Sequence, residues 1–327
     1  MPQVSFIIPV YNTEAYLEEC LQSVQNQTFT DFEAIIINDG STDNSEAIIQ
    51  KFVNSDKRFK TIYQDNQGPS AARNKGLQRV DSPWISFVDS DDMIAPDFLK
   101  TLLALTNVAT STKEESVDVV CCGTKKISGR ITLSAISPKG KIKCWNSEGA
   151  LTQALYQDRV PDHSAWNKLY AKDLWKETQF PSGKIFEDLA TIPSILLKAR
   201  KVVSTDAPLY LYRIRDNSIL RSNYTIHEAE LLQIAEDNFL FLKNGSTSSN
   251  KKLIKAAQNT VISASFSILK RTPNTEEFYK VRQQAWQHIR DLRISNLLNC
   301  NTRLRNKIAD VLSFLPQNLF LKFLRRG

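Results

Sequence analysis

Acidic side chains at the ends of apolar runs are the residues of this sequence best placed to do chemistry. Asp89-Ser90-Asp91-Asp92 directly follows the run Trp84–Val88 and precedes Pro96, which suits the first turn of a helix. Acids held together repel unless a cation or a helix terminus compensates. Hard divalent cations take oxygen ligands, and magnesium characteristically combines one or two carboxylates with substrate phosphates. Asp89 and Asp91 alternate around a small serine and are spaced to serve one such site. Helix capping and turn formation account for the same cluster without a metal. Asp39, in Asp39-Gly-Ser-Thr-Asp43, also ends an apolar run, where its carboxylate can accept hydrogen bonds from a nucleoside. Asp43 or Asn44 reads as the cap of the next helix. This loop is not an EF-hand, because its twelfth position is Gln50 rather than Glu.

Other chemistries lack their residues. The sequence contains no GxGxxG, no GxxxxGK[ST], no GxSxG and no HExxH, which removes the dinucleotide, P-loop, hydrolase-elbow and zinc-protease readings. His163, His227 and His288 are dispersed. The five cysteines (Cys20, Cys121, Cys122, Cys144, Cys300) form no CxxC pair and read as reduced thiols.

Elements that position the acids are legible around them. Val4–Pro9, Phe32–Asn38, Phe59–Tyr63, Trp84–Val88 and Val117–Cys122 read as buried strands. Helices separate them, the first capped by Thr13 and carrying Leu17, Leu21 and Val24 on one face. Apolar strands alternating with amphipathic helices predict an α/β fold: a Rossmann-like, mostly parallel sheet covered by helices. Ligands of such sheets bind beyond the carboxyl ends of the strands, where Asn12, Asp39 and Asp89 fall. Lys125–Trp145 is expected to be a hairpin or loop. Three periodic stripes in the last hundred residues predict a helical C-terminal module: Leu232 to Leu242, Leu253 to Ile268 and Phe278 to Leu292.

At 327 residues the chain is long enough for two structural units. Hydrophobic residues at 42% and charged residues at 24% exclude disorder and a multi-span membrane protein. The N-terminal run has no basic segment before it and is not read as a signal peptide. Of the net charge of +7, residues 301–327 carry +5, from six basic residues and Asp310. Basicity therefore belongs to a tail, and a nucleic-acid partner is not expected.

Four segments combine in a diagnostic order: Pro9-Val-Tyr-Asn12, Asn38-Asp-Gly-Ser-Thr-Asp43, Gly68-Pro-Ser-Ala-Ala-Arg-Asn-Lys-Gly76 and Phe87-Val-Asp-Ser-Asp-Asp92. Together they resemble the inverting family 2 glycosyltransferases of the bacterial surface-polysaccharide type, which have the A-type glycosyltransferase fold and use nucleotide-diphosphate sugars. Trp166-Asn-Lys-Leu-Tyr170, Phe186-Glu-Asp-Leu189 and Tyr210-Leu-Tyr-Arg-Ile-Arg-Asp-Asn-Ser218 extend the resemblance to about residue 220. It implies a catalytic domain over 1–220, with a nucleotide-sugar half (1–125) and an acceptor half (126–220), followed by a helical module over 221–327.

The resemblance also implies roles. Pro9, Tyr11, Asn12 and Asp39 line the nucleoside pocket, Tyr11 by stacking. Arg73 lies near the nucleotide and the acids; a surface ion pair is its plain alternative. Asp91, supported by Asp89 in an Asp-x-Asp signature, ligates a divalent cation, manganese or magnesium, on the diphosphate. Asp188 is the catalytic base and Glu187 its partner or the acceptor's, although adjacent acids also suit a helix start. Arg215 and Ser218 grip the diphosphate, with Arg213 an equal candidate. No QxxRW is present, so a single-sugar transferase is expected rather than a processive synthase.

The expected donor is a UDP-sugar and the expected acceptor a glycan or lipid-linked oligosaccharide. Teichoic-acid or protein glycan glycosylation by the same chemistry, and a non-catalytic assembly partner, are the alternatives. A sugar-phosphate nucleotidyltransferase is disfavoured, because its glycine-rich N-terminal loop is missing. The tail carries two apolar stripes, Leu304, Ile308, Val311, Leu312 and Leu315, then Leu319, Phe320, Phe323 and Leu324, flanked by basic residues. Such segments suit an anionic membrane surface, which predicts a cytoplasmic enzyme held peripherally on the inner face; packing on the preceding helices is the alternative. A homo-oligomer is compatible with the sequence.

Overall fold

The computed structural model describes residues 1–108, 116–129, 136–156, 160–214, 229–245 and 249–326. Arg215, Ser218 and His227 lie outside the described residues. The chain divides into two compact units, one comprising 1–150, 164–183 and 194–220, the other 151–163, 184–193 and 221–327.

The first unit begins with the predicted alternation: β1 (Val4–Val10), α1 (Glu14–Gln25), β2 (Phe32–Asp39), α2 (Ser45–Ser55), β3 (Phe59–Gln64), α3 (Pro69–Leu77) and β4 (Trp84–Phe87). β2 is buried along its whole length and β1 at six of its seven residues, so their continuous apolar runs fit a sheet covered on both faces. β1 pairs in parallel with β2 and with β4, aligning Ile7 with Ile35 and Phe87. α3 lies close to this sheet: a Cβ on Gly76 would come within 2.5 Å of Ile7 Cγ2.

The chain continues through β5 (Met93–Ile94), α4 (Phe98–Thr106), β6 (Val119–Cys121), β7 (Thr124–Ile127), β8 (Ile142–Trp145), α5 (Ser147–Leu155), β9 (Lys168–Ala171), α6 (Glu187–Lys198), β10 (Val202–Thr205) and β11 (Tyr210–Arg213). The main sheet has the order β3-β2-β1-β4-β9-β6-β10-β8. β9 is antiparallel to both β4 and β6, and β8 to β10, so one half of the sheet is parallel and the other mixed. A second sheet, β5-β11-β7, sits beside the acidic loop. Of the two readings of Lys125–Trp145, hairpin or loop, the described residues do not form a hairpin: β7 pairs with β11 and β8 with β10, in different sheets.

The second unit contains α7 (Glu230–Asn244), α8 (Lys251–Arg271), α9 (Tyr279–Leu297), α10 (Leu304–Leu312) and α11 (Gln317–Arg326). Asn250 caps α8, its side-chain oxygen accepting from the Lys252 and Leu253 amides at 3.1 Å each. The three predicted stripes share one core, with Leu232 and Ala235 against Val261, Ile268, Ala285 and Ile289. The tail divides between core and surface. Phe320 is fully buried, 5.2 Å from the Trp286 ring, whereas Leu304, Val311, Phe314 and Phe323 are each at least half exposed. Among the described residues no helix is long and apolar enough to cross a membrane.

Candidate active site

The loops leaving β1, β2 and β4, with the start of α3, form a single hydrogen-bonded constellation. Asn12, at φ 48°, closes β1, and its side-chain oxygen accepts from the Thr42 amide at 2.8 Å. Asp43 accepts from the Ser45 amide at the start of α2 and from the Glu14 amide at the start of α1, at 3.0 and 2.9 Å. Glu14 returns the bond by accepting from the Asn44 amide. Thr13 makes no cap with its side chain; its hydroxyl donates instead to Ser90 at 3.1 Å. Two loops far apart in sequence are thereby tied to the acidic one.

Asp39 is buried and already well used. One carboxylate oxygen accepts from Gln64 Nε2 (2.7 Å) and the Gln67 amide (2.9 Å), the other from the Gly68 amide (2.8 Å). A carboxylate has about four acceptor positions, so three are filled by protein and one is left for a ligand. Gly68, at φ 86°, adopts the left-handed conformation that delivers its amide there and starts α3. Tyr11, directly after β1, has 48% of its surface exposed, while Pro9 is half-buried within β1.

Arg73, on α3, is 4% exposed and donates to Asp89 Oδ1 at 2.9 Å; its guanidinium lies 5.4 Å from the Phe180 ring. A surface ion pair does not describe a guanidinium this buried. The adjacent Asn74 fixes that ring's segment, exchanging hydrogen bonds of 2.8 and 2.9 Å with the Phe180 backbone. The signature residues of α3 thus each secure something nearby. Gly68 makes the turn, Arg73 holds the acid, Asn74 holds the ring's segment and Gly76 allows the close approach to the sheet.

Among the acids, Asp92 faces inward. Its Oδ2 accepts from the Tyr210 hydroxyl (2.9 Å) and its Oδ1 from the Arg213 amide (2.8 Å). Burial, reinforced by the Asp91 and Asp89 charges, pushes its carboxyl well above the ordinary range. Burial also raises Tyr210, with Asp92 adding to the shift. The Tyr210 hydroxyl accepts in turn from the Asp89 amide at 3.2 Å. Asp92 is thus an anchor, while Asp89 and Asp91 are half-buried. No group of three or more His, Cys, Asp and Glu among the described residues is arranged to hold a metal ion. An oxygen pair backed by an anchored loop fits a cation that draws its other ligands from a diphosphate.

Sequence reasoning missed this support. Arg213, there a candidate for the diphosphate, is 7% exposed and committed to protein: it bonds the Asp91 carbonyl at 3.0 Å and the Gly129 carbonyl at 3.3 Å, and pairs with Glu19. Trp166 stacks on Tyr210 and Tyr212 at 4.6 and 5.5 Å. Its neighbours set its place: Asn167, at φ 59°, bonds the Cys122 carbonyl, and buried Lys168 donates to the Ser164 carbonyl and Asn167 Oδ1 at 2.7 Å each. The alternation of Tyr210 and Tyr212 along one strand was the available signal.

The sequence model for "Glycosyl transferase family 2" matches residues 5–176, which contain the loops leaving β1, β2 and β4 and all of α3; Phe180 and β11 lie beyond it. The chain belongs to that family. EpsH of Bacillus subtilis (strain 168), which bears the name of a glycosyltransferase, is 34% identical over 75% of this chain and 70% of its own. Among solved structures, residues 1–349 of S. aureus TarS in complex with UDP-GlcNAc share the fold, with a TM-score of 0.71 at 21% identity over 99% of this chain and 89% of that one. The mannosyltransferase PcManGT of Pyrobaculum calidifontis, in complex with GDP-Man and Mn2+, matches at TM-score 0.57 and 14% identity over 99% of this chain and 85% of that one. The protein is therefore a family 2 glycosyltransferase with the A-type fold. Glu187 and Asp188 open α6 within the second unit, Glu187 buried and Asp188 half-buried.

Proposed function

We propose that the enzyme transfers one sugar, with inversion, from a nucleotide-diphosphate sugar, a UDP-sugar by preference, to a hydroxyl of a lipid-linked glycan acceptor in cell-surface polysaccharide synthesis. The observation that carries this reading is the anchored acidic loop. Asp92, Tyr210 and Arg213 fix it, Arg73 pairs with Asp89, and Tyr11 and Asp39 stand at the ends of neighbouring strands. Tyr11 offers an open ring for a base, and Asp39 retains one acceptor position for a nucleoside N–H or O–H. Arg215 and Ser218 are assigned to the diphosphate from the family resemblance.

Asp91, with Asp89, would hold a manganese or magnesium ion, which supplies positive charge where the departing diphosphate gathers negative charge. The protein's own part is to prepare the acceptor. Asp188 takes the proton of the acceptor hydroxyl, whose oxygen forms a bond to the anomeric carbon. The bond from that carbon to the donor phosphate oxygen breaks, and its electron pair leaves with the nucleoside diphosphate. Glu187 orients Asp188 or the acceptor.

A donor screen tests the reading: purified protein, several nucleotide sugars, manganese or magnesium, and assay of released nucleoside diphosphate. Release from one donor, lost in excess chelator, is expected. Full activity in chelator removes the metal, and consumption of a nucleoside triphosphate with a sugar phosphate would replace the reaction class.

Peripheral attachment to an anionic bilayer through α10 and α11 belongs to the same proposal. Its support is the row of exposed large apolar groups and the basic surplus of residues 301–327.

A further inference from the structure

The helical unit contains a cavity of about 530 Å³, opening among α7, α8, α10 and α11. That volume lies within the roughly 300–1,000 Å³ of ordinary ligand pockets. Its wall is mostly apolar, formed by Leu231, Ala264, Phe266, Leu312 and Leu324, with Thr260, Ser263, Ser267 and Asn306 as its small polar groups. Ile308 and Phe323 also line it and are 53% and 50% exposed, which carries the apolar surface outward past the mouth.

Two cations complete the lining, Lys270 at the end of α8 and Arg305 in the first turn of α10. Both are exposed, and neither is paired with an acid among the described residues. An apolar cleft flanked by unpaired positive charge is complementary to an amphiphile with an anionic head. A wholly polar metabolite finds four small polar groups there and leaves the larger, apolar part of the wall unmatched. A second copy of the chain set symmetrically on this face opposes its own basic residues, Arg305 and Lys307, to their equivalents.

We propose that this cavity seats a hydrocarbon chain of an anionic phospholipid, with Lys270 and Arg305 on its phosphate. The inference rests on the membrane reading of the tail and deepens it: the tail does not only lie on the bilayer but draws one lipid chain into the fold. A chain held in the cavity resists sliding along the surface and fixes the depth of α10 and α11.

The test is calorimetric titration of the full-length protein with dodecyl phosphate, inorganic phosphate and dodecyl maltoside at low salt, below micelle formation. Dodecyl phosphate is expected to bind one per chain, about tenfold tighter than dodecyl maltoside, with no detectable binding of inorganic phosphate. Ser267→Trp, which fills the cavity from α8, should weaken dodecyl phosphate by about tenfold or more. The surface double variant Lys270→Glu/Arg305→Glu should do likewise and is the deciding variant should Ser267→Trp fail to fold. Donor hydrolysis should be unchanged in both. Equal affinity for the two dodecyl compounds, or unchanged binding in the folded variants, overturns the proposal. Vesicles of phosphatidylglycerol test the wider reading separately: vesicle binding without dodecyl phosphate binding sinks the cavity and keeps the surface, and loss of both sinks both.

Discussion

The loops at the strand ends and the terminal helices handle exposed chemistry in opposite ways. In the loops nearly every polar group is held by another: Asp39 by three donors, Asp92 by two, Asp89 by Arg73. In α10 and α11, large apolar groups stand in water, Val311 at 58% and Phe323 at 50%. The difference matches the two roles proposed above. Displacement at an anomeric carbon needs charge fixed in advance, since groups that need not reorganise stabilise a transition state best. Adhesion to a soft surface needs only area and sign of charge. Variants that change one role and leave the other intact are therefore the means of testing the contrast.

The largest effect is expected at Asp91. Asp91→Asn keeps size and removes one charge from the half-buried pair, and should abolish sugar transfer, a loss of about 10³-fold or more. The thermal midpoint should hold and vesicle binding stay at the wild-type level. A variant with more than a tenth of wild-type transfer would move the cation to other ligands.

Asp188→Asn should follow, with turnover lowered by about 10²–10⁴-fold and donor affinity near wild type, because a base acts on the acceptor side. Parallel kinetic and donor-titration measurements separate the two. A proportional fall in donor affinity reassigns Asp188 to donor binding or to folding.

The contrast extends to buried acids. Asp92 has both oxygens hydrogen-bonded, whereas Asp310, fully buried in the helical unit, has Oδ2 on Asn296 and no partner for Oδ1. Burial, only partly offset by Asn296 and Arg293, lifts its carboxyl to about 7. The folded state then keeps a proton that the unfolded chain, near its ordinary value of about 4, releases. Stability from this group is fully present below about pH 4, falls as pH rises from 4 to 7, and is flat above, a change of about 2 kcal/mol after allowance for water entry. Asp310→Asn should flatten that slope in denaturant titrations at pH 5 and pH 8. An unchanged slope assigns it to other groups.

Tyr210→Phe sharpens the claim that the acidic loop is positioned rather than merely acidic. It removes the hydroxyl between the Asp89 amide and Asp92 Oδ2 while leaving the Trp166 stack. Loss of about 1 kcal/mol of stability and about a tenfold fall in transfer are expected. Equal stability loss with unchanged kinetics would make Tyr210 a core residue only.

How much of this was legible follows from sequence distance. The strands β1, β2 and β4 and the acids after them are readable because burial on both faces and turn chemistry are local signals. The capping role of Asp43 was readable for the same reason. The antiparallel insertion of β9 between β4 and β6 was not, since it brings Lys168–Ala171 beside Trp84 and Val119, far off in the chain. The commitment of Arg213, an alternative candidate for the diphosphate, to the protein was not legible, because its acid partner, Glu19, is 194 residues away. Periodicity found the tail's apolar residues, but it cannot say which of Phe320 and Phe323, three positions apart on one helix, turns inward. Phe320 does, and Phe323 is half exposed.

That last division decides how the tail should be tested, and its effect is the smallest. Deleting Pro316–Gly327 would remove Phe320 from between Phe266 and Trp286 and so confound adhesion with unfolding. Val311→Ser with Phe323→Ser leaves Phe320 in place and strips two exposed groups. Sedimentation with phosphatidylglycerol vesicles should show binding weakened by about threefold to tenfold, since exposed side chains enter only the interfacial layer. Rising salt should weaken the wild type further, each basic residue near the surface contributing about 1 kcal/mol that screening removes. Donor hydrolysis should be unaffected, because hydrolysis needs the fixed charge of the loops and no surface. Wild-type vesicle binding in the double variant would return α10 and α11 to the role of core helices and leave their apolar face to a protein partner.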